Sequence, residues 1–124
     1  MNAKKSTVQF RIRVYRDTSI AIGPGRIALL EAIQRAGSIS GAARELKMSY
    51  RRAWLLVDET NKSLKAPAVS SSEGGVSGGG SQLTETGKKI VAHYRAAEAL
   101  AAKAAASELN ALARLLAASP PDGG

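Results

Sequence analysis

Two short helical segments with almost no connection between them restrict the fold of this chain more than any other feature. Ser38 can cap a helix over residues 39–46, in which apolar side chains recur at helical spacing. Another serine begins a second helix, over about residues 49–65. Ala42 and Ala43 in the first helix allow the second to cross close by. The sequence therefore predicts a helix–turn–helix.

The residues before this pair predict a β-hairpin and one further helix. Residues 8–15 alternate between apolar and polar side chains, the pattern of a half-buried strand, and residues 20–22 can return beside them after a turn. Gly23 and Pro24 can open a helix, which Gly37 ends. A hairpin followed by three helices is therefore expected in the first half of the chain.

A glycine- and serine-rich stretch, residues 70–81, follows the three helices. In isolation, such a composition is typical of a flexible linker. Residues 68–69 and 82–83 on its two sides can pair as strand ends, and the stretch then becomes the mobile tip of a β-hairpin wing. Its position directly after a helix–turn–helix favours the wing.

The last segment predicts a long amphipathic helix that begins after Thr84, a capping residue, and runs to about Ala118. Residues 119–124 are expected to be a disordered tail. Such a long helix outruns the small domain, so a second copy of the chain is the expected cover for its apolar stripe. The predicted dimer interface comprises Ile90, Tyr94, Ala97, Ala101, Leu109 and Leu112. The alternative is an alanine-rich helix that frays beyond residue 105.

The charge distribution predicts a polyanionic partner. The chain has a net charge of +8, and residues 1–65 carry 13 Lys and Arg against 5 Asp and Glu, whereas residues 66–124 carry 5 of each. A basic excess confined to one half suits double-stranded DNA. Arg51 and Arg52 directly follow a helix N-terminus, and arginine forms bidentate pairs with guanine, whereas serine and lysine suit phosphates.

The predicted DNA contacts fall into two groups. Around the turn and at the start of the second helix they are Ser38, Ser40, Arg44, Lys47, Ser49, Tyr50, Arg51, Arg52 and Leu55. In the wing they are Gly74, Gly75, Gly78 and Gly79. One side of the second helix is expected to carry Tyr50, Ala53, Trp54, Val57, Asn61 and Leu64, with the arginines elsewhere on its surface.

The composition argues against catalysis and metal binding. The chain has no cysteine and one histidine, His93, which excludes disulfides, thiolate metal sites and multi-histidine sites. The carboxylates are scattered, and the glycine-rich stretch lacks the Lys-Ser/Thr ending of a phosphate-binding loop. We expect no enzyme and no nucleotide cofactor. Without a long apolar run or a signal peptide, the expected location is cytoplasmic and nucleoid-associated, with no membrane partner.

Several stretches resemble one known family. They are residues 23–33 (GPGRIALLEAI), 37–44 (GSISGAAR) and 48–58 (MSYRRAWLLVD), with the glycine-rich stretch and residues 83–87 (LTETG). They are similar to the N-terminal domain of the ModE-type, molybdate-responsive transcription regulators. The resemblance covers about residues 8–100, and a more distant likeness is to the DNA-binding domain of LysR-type regulators.

The resemblance implies an α+β fold, with a winged helix–turn–helix and an N-terminal β-hairpin over residues 1–83 and a long dimerisation helix over residues 84–118. It implies a homodimer on an inverted repeat in DNA. Ser49, Tyr50, Arg51 and Arg52 match the start of the recognition helix. Full-length members carry a C-terminal pair of molybdate-binding β-barrel domains, for which this chain has no room, so we expect no cofactor.

Two features depart from the family pattern. Lys47 occupies a turn position that commonly takes glycine, because the backbone there is left-handed, at a cost of about 1 kcal/mol. The wing has no Lys or Arg between Ala66 and Leu83, and Glu73 is acidic. We therefore expect the wing to contribute less to DNA binding than in related proteins.

Three other functions stay open at this point. An oxyanion-binding protein would bind molybdate or tungstate in a direct titration. A nucleoid protein without sequence preference would bind scrambled DNA equally well, with a steep dependence on salt. A protein-interaction module acting through the long helix would not bind DNA at moderate salt.

Overall fold

A computed structural model describes residues 7–72 and 80–118, in which five helices alternate with two small antiparallel sheets. The first half contains β1 (Val14–Arg16), β2 (Ser19–Ile22), α1 (Pro24–Ala36), α2 (Ile39–Glu45) and α3 (Tyr50–Lys62). The second half contains β3 (Val69–Ser71), β4 (Ser81–Leu83), α4 (Glu85–Ala104) and α5 (Ala106–Ala113). A mixed fold of helices and small sheets is thus confirmed. The predicted tail at residues 119–124 lies outside the described residues.

The helix boundaries follow the capping residues that the sequence offers. Ser38, Ser49 and Thr84 each accept a hydrogen bond from the backbone N–H three residues further on, at 2.9 to 3.1 Å. Pro24 is the first residue of α1, and Gly37 ends that helix with a φ of 75°. Because each cap satisfies a backbone group that the helix leaves open, these starts and stops are local properties of the sequence.

Helix α1 lies at the centre of the core. Ile27, Leu29 and Ile33 are its largest fully buried side chains. Leu30 and Ala32 of the same helix are buried as well, and the neighbouring elements supply the other core residues: Ile39, Ala42, Ala43, Ala53, Val57, Ala68, Val69, Leu83 and Tyr94. With Tyr94 as its only aromatic member, this core is built from aliphatic and alanine side chains that pack α1 against α2, α3, α4 and β4.

The predicted strand over residues 8–15 is wrong for most of its length. The structure pairs only Val14–Arg16 with β2, and residues 7–13 have no regular secondary structure. Two strands cannot cover an apolar face by themselves, and Val8 and Val14 remain exposed. The segment runs beside α4 instead, where the hydroxyl of Tyr94 donates to the backbone oxygen of Ile12 at 3.0 Å.

The predicted continuous last helix is divided in two. The backbone leaves the helical conformation at Ala105, with φ −97° and ψ 3°, before α5 begins. No glycine or proline stands there, so the sequence gives no local signal for the interruption. Beyond it, Ala106 and Leu109 line an open cleft together with Val8 and Phe10 of the N-terminal segment. The interruption therefore lies where the chain comes beside that segment.

A close approach between two backbones attaches α4 to the β3–β4 hairpin. A Cβ atom on Gly87 would lie 2.2 Å from the backbone oxygen of Ala68. The Thr84 hydroxyl, while capping α4, also donates to Pro67 O at 2.6 Å, and the Thr84 N–H donates to Ala68 O at 2.9 Å. The hairpin and α4 are consequently one packed unit.

We expect Gly87→Ala to lower the free energy of unfolding by about 1–3 kcal/mol or more, because the added methyl group must displace the Ala68 backbone. Gly25→Ala is the matched control, since a Cβ on Gly25 in α1 meets nothing within 4 Å. The control should be neutral or stabilising by up to about 1 kcal/mol. Urea unfolding followed by circular dichroism measures both, and equal stabilities for the two variants would contradict the packing described.

Candidate nucleic-acid interface

The turn between α2 and α3 is closed by backbone hydrogen bonds. The N–H of Lys47 donates to Arg44 O at 3.2 Å, and the N–H of Met48 donates to Ala43 O at 3.0 Å. Lys47 has a φ of 58°, in the left-handed region that favours glycine. The predicted left-handed backbone at Lys47 is confirmed, and the turn leads directly to Ser49 at the start of α3.

Small side chains allow α2 to lie close to its neighbours. Ala42 is fully buried and Ala43 almost so, and Ala53 is the fully buried residue in the first half of α3. Because α2 directs its small residues inward, its outer surface carries polar side chains, among them the exposed Ser40 and Arg44. The polar side of α2 and the first turn of α3 therefore lie open to solvent beside each other.

Four exposed basic side chains surround the turn: Arg44, Lys47, Arg51 and Arg52. Within residues 7–72 and 80–118, none of the four forms a salt bridge with a carboxylate. Some basic residues elsewhere in the body are paired, as Arg26 is with Glu59. The positive potential at the turn is therefore not cancelled by close carboxylates.

The carboxylate at the end of α2, Glu45, is balanced by a residue from another helix. Arg35 of α1 donates through Nε to Glu45 Oε2 at 3.0 Å and to Glu45 Oε1 at 3.3 Å. These hydrogen bonds hold the pKa of Glu45 below its ordinary value and raise the pKa of Arg35. Glu45, the carboxylate nearest to the turn in sequence, is thus paired with Arg35 of α1 and not with the basic residues of the turn.

The predicted contact residues on α3 and α2 line two clefts that share α3. One cleft is lined by Ser49, Arg51, Arg52 and Leu55, together with Leu56 and Glu59. The other contains Ser38, Ser40 and Tyr50. Leu55 is 39% exposed although it is apolar. The four predicted wing contacts, Gly74, Gly75, Gly78 and Gly79, lie outside the described residues.

The β3–β4 hairpin forms the second wall of the cleft that contains Ser38 and Ser40, which we call the serine cleft. It has a volume of about 260 Å³, and its full lining is Ser38, Ile39, Ser40, Tyr50, Trp54, Ser71, Ser72, Gly80 and Ser81. The hydroxyls of Ser71 and Ser81 lie 2.8 Å apart across the strands. No lysine or arginine lines this cleft, so hydroxyl groups supply most of its polar atoms.

Asn61 near the end of α3 holds the base of the hairpin in place. Its side-chain amide donates to Val69 O at 3.1 Å, and its oxygen accepts from the N–H groups of Ala68 at 2.8 Å and Val69 at 3.2 Å. The predicted pairing of the strand ends is confirmed by the Val69–Leu83 register, and both side chains are buried. The sequence signal for this contact was the position of Asn61, a polar residue on the otherwise apolar side of α3.

Two aromatic residues of α3 are more exposed than their helical periodicity suggests. Tyr50 and Trp54 share a side of the sequence-predicted helix with Ala53 and Val57. The structure buries Ala53 and Val57 but leaves Tyr50 55% exposed and Trp54 46% exposed. Tyr50 and Trp54 thus lie on the predicted side of α3 but outside the buried core.

The structure buries one of the six residues of the predicted dimer interface and leaves the other five accessible. Tyr94 is 5% exposed and packs within the protomer, where its hydroxyl bonds the N-terminal segment. Tyr94 therefore cannot contact a second copy, and its place in the predicted interface is corrected. The reason is that residues 7–13 lie beside α4 and cover this side chain. The other five residues stay partly or fully accessible on α4 and α5: Ile90, Ala97, Ala101, Leu109 and Leu112.

Neither a metal-ligand cluster nor a membrane-spanning helix is found among the described residues. No group of three or more His, Cys, Asp or Glu side chains there is arranged to bind a metal ion. None of the helices in these ranges combines the length and apolar character needed to traverse a bilayer.

Comparison with known proteins relates this chain to proteins of molybdenum regulation and molybdenum-pterin binding. The relatives carry the names ModE, MopA and MopB, which agrees with the family resemblance of the sequence. No family model matches the chain.

Three relatives illustrate the similarity. The chain is 49% identical over 90 residues to the molybdenum-pterin-binding protein MopB of Rhodobacter capsulatus, covering 73% of this chain and 33% of MopB. It is 44% identical over 95 residues to the molybdenum transport protein ModE of Azotobacter vinelandii, covering 75% and 35%. It is 38% identical over 71 residues to the DNA-binding transcriptional dual regulator ModE of Escherichia coli (strain K12), covering 57% and 27%. The chain spans about a third of the length of the curated relatives it matches.

We expect Lys47→Gly to raise the free energy of unfolding by up to about 1 kcal/mol, because glycine adopts the left-handed backbone without a Cβ clash. Lys47→Ala is the matched control, since it removes the same charge but keeps the Cβ atom. Chemical denaturation of both variants measures the difference. A glycine variant no more stable than the alanine variant would show that the turn is unstrained.

Proposed function

We propose that this chain is a DNA-binding module of a transcription regulator, without enzymatic activity. In this proposal α2 and α3 form a helix–turn–helix, the β3–β4 hairpin is its wing, and α3 enters the major groove of double-stranded DNA. The observation that carries the proposal is the set of four exposed basic side chains around the turn and the first turn of α3, none of which forms a salt bridge within the described residues. The name of the Escherichia coli relative supports it.

The residues of the proposed interface differ in which part of the DNA they contact. Arg51 and Arg52 at the N-terminus of α3 can donate in pairs to guanine O6 and N7, which reads sequence. Arg44 and Lys47 can neutralise phosphates, which sets the register on the duplex but carries no sequence information. The hydroxyls of the serine cleft can donate to phosphate oxygens without adding charge.

The proposal includes a homodimer formed through α4 and α5. Four leucines on α4, on α5 and just after α5 are strongly exposed, namely Leu100, Leu112, Leu115 and Leu116, at 60% to 81%. Several large apolar side chains exposed in one part of a chain are costly in water and are typical of a surface that a second copy covers. Two protomers related by a two-fold axis would read the two halves of an inverted repeat.

The relatives' names support a second candidate, an oxyanion-binding protein, at least as directly as they support DNA binding. Two of the three relatives named above refer to molybdenum, one as a pterin-binding and one as a transport protein. The geometry favours DNA binding instead, because no buried polar side-chain atom among the described residues lacks a hydrogen-bond partner for an oxyanion to satisfy. Calorimetric titration with molybdate and tungstate, with sulfate as the reference anion, tests this candidate, which requires saturable heat for the two metal oxyanions only.

The DNA proposal is tested by selecting bound duplexes from a random-sequence pool at about physiological salt. Enrichment of an inverted repeat is the expected result. Enrichment of duplex DNA without a shared sequence would reduce the protein to a nonspecific binder with a steep salt dependence. Recovery of no DNA would overturn the proposal.

We expect Arg51→Ala and Arg52→Ala each to weaken binding to the selected duplex by about 1–3 kcal/mol and to relax its sequence preference. Lys62→Ala is the matched control, because Lys62 lies on the same helix at its far end, paired with Asp58 at 2.9 Å. Fluorescence anisotropy of the labelled duplex measures all three. If both arginine variants bind like the control, α3 does not enter the groove by its N-terminus.

We expect Leu112→Glu to convert the dimer into a monomer at the same protein concentration, because a charge would be buried in the apolar interface. Ser107→Glu adds the same charge to an exposed position of α5 and should leave the dimer intact. Analytical ultracentrifugation gives the two molecular masses. A dimer that survives Leu112→Glu would assign the interface to another surface.

A further inference from the structure

Trp54 is the one tryptophan of the chain and is 46% exposed on α3. Leaving so large an apolar side chain half in water forgoes much of the free energy that its burial would provide. Within the described residues, the core below it is already closed by the buried Ala53 and Val57. Trp54 is therefore not needed as a core residue, and its exposed indole calls for another role.

The surroundings of Trp54 combine an apolar surface with phosphate-binding groups. Its ring lines the serine cleft together with Tyr50, which lies one helical turn earlier and is 55% exposed. Ser38, which caps α2, and Ser40 on α2 line the same cleft. A sugar–phosphate strand that entered this cleft would meet both hydroxyl donors and aromatic surface.

Helix α3 also carries Arg51 and Arg52, which form no salt bridge within the described residues. The position of these two arginines limits which part of a DNA duplex the aromatic side chains can contact. Arg51 precedes Trp54 by three residues, and side chains at this spacing are neighbours on a helix. If Arg51 reaches base edges in a major groove, Trp54 meets the border of the same groove, next to the strand held in the serine cleft. The thymine C5 methyl is the apolar group that a major groove presents to a protein.

We propose that Trp54, supported by Tyr50, recognises the methyl group of a thymine next to the phosphate bound in the serine cleft, and so determines part of the sequence specificity. This inference rests on the proposed function. It adds a specificity-determining residue on the flank of α3, beside the arginines at its start. It also explains why the two aromatics stand at the edge of a cleft whose other polar groups are uncharged hydroxyls.

The experiment compares thymine with deoxyuridine, which differ only by that methyl group. Two random-sequence duplex pools, one amplified with dTTP and one with dUTP, are selected with the wild-type chain. The duplex enriched from the thymine pool is then synthesised in both forms, and its affinity is measured by fluorescence anisotropy. We expect the thymine form to bind about three- to five-fold more tightly for each methyl contacted. Emission from Trp54, the single indole, should change on binding.

Variants assign the preference to a residue. Trp54→Ala should bind both forms equally, at the level of the wild type on the deoxyuridine form, and Trp54→Phe should retain part of the preference. Tyr15→Ala removes an aromatic that is 56% exposed on β1, next to the C-terminal end of α3 but outside the serine cleft, and should behave as wild type. Circular dichroism of each variant checks the fold, and the wild-type comparison requires no variant.

The outcomes separate this inference from the proposed function. A wild-type chain that binds both forms of the duplex equally overturns the role of Trp54 but leaves DNA binding intact. A thymine preference that persists in Trp54→Ala and is lost in Leu55→Ala assigns the methyl contact to Leu55 and also overturns it. Failure to enrich any sequence from either pool overturns both proposals together.

Discussion

The burial of α1 is the interaction on which the rest of the structure depends. Ile27, Leu29 and Ile33 exclude water on several sides of one helix, and α2, α3, α4 and β4 all contact it. Because the core has few aromatic side chains, each neighbour must approach closely, and alanines at the α2 and α3 contacts permit that. The candidate interface is therefore the outer surface of helices whose inner surfaces cover α1.

The hairpin and α4 depend on that arrangement through backbone contacts. Asn61 ties β3 to the end of α3, and Gly87 lets α4 lie against Ala68. Farther along α4, Arg95 donates to Glu31 of α1 at 2.6 and 2.9 Å, which lowers the pKa of Glu31. The same core thus fixes the serine cleft relative to α3 and the direction in which α4 leaves the body.

Charge pairing separates the surface into two kinds of region. Arg26, Arg35 and Arg95 each form a salt bridge with a carboxylate of another helix. Three carboxylates of the body therefore link pairs of helices. The basic residues around the turn between α2 and α3 have no such partner among the described residues. Uncompensated positive charge thus lies beside the exposed N-terminus of α3, and the two features together favour an anionic strand as the partner.

The sequence by itself determined the local features of this protein. The caps at Ser38, Ser49 and Thr84, the end of α1 and the left-handed turn at Lys47 depend on neighbours in the chain, and all are as predicted. Tertiary structure decided what depends on distant contacts. It confined β1 to Val14–Arg16, broke the last helix at Ala105, buried Tyr94 under the N-terminal segment and left Trp54 exposed. Periodicity reports which side of a helix is apolar, whereas the width of the contact decides which of those side chains water still reaches.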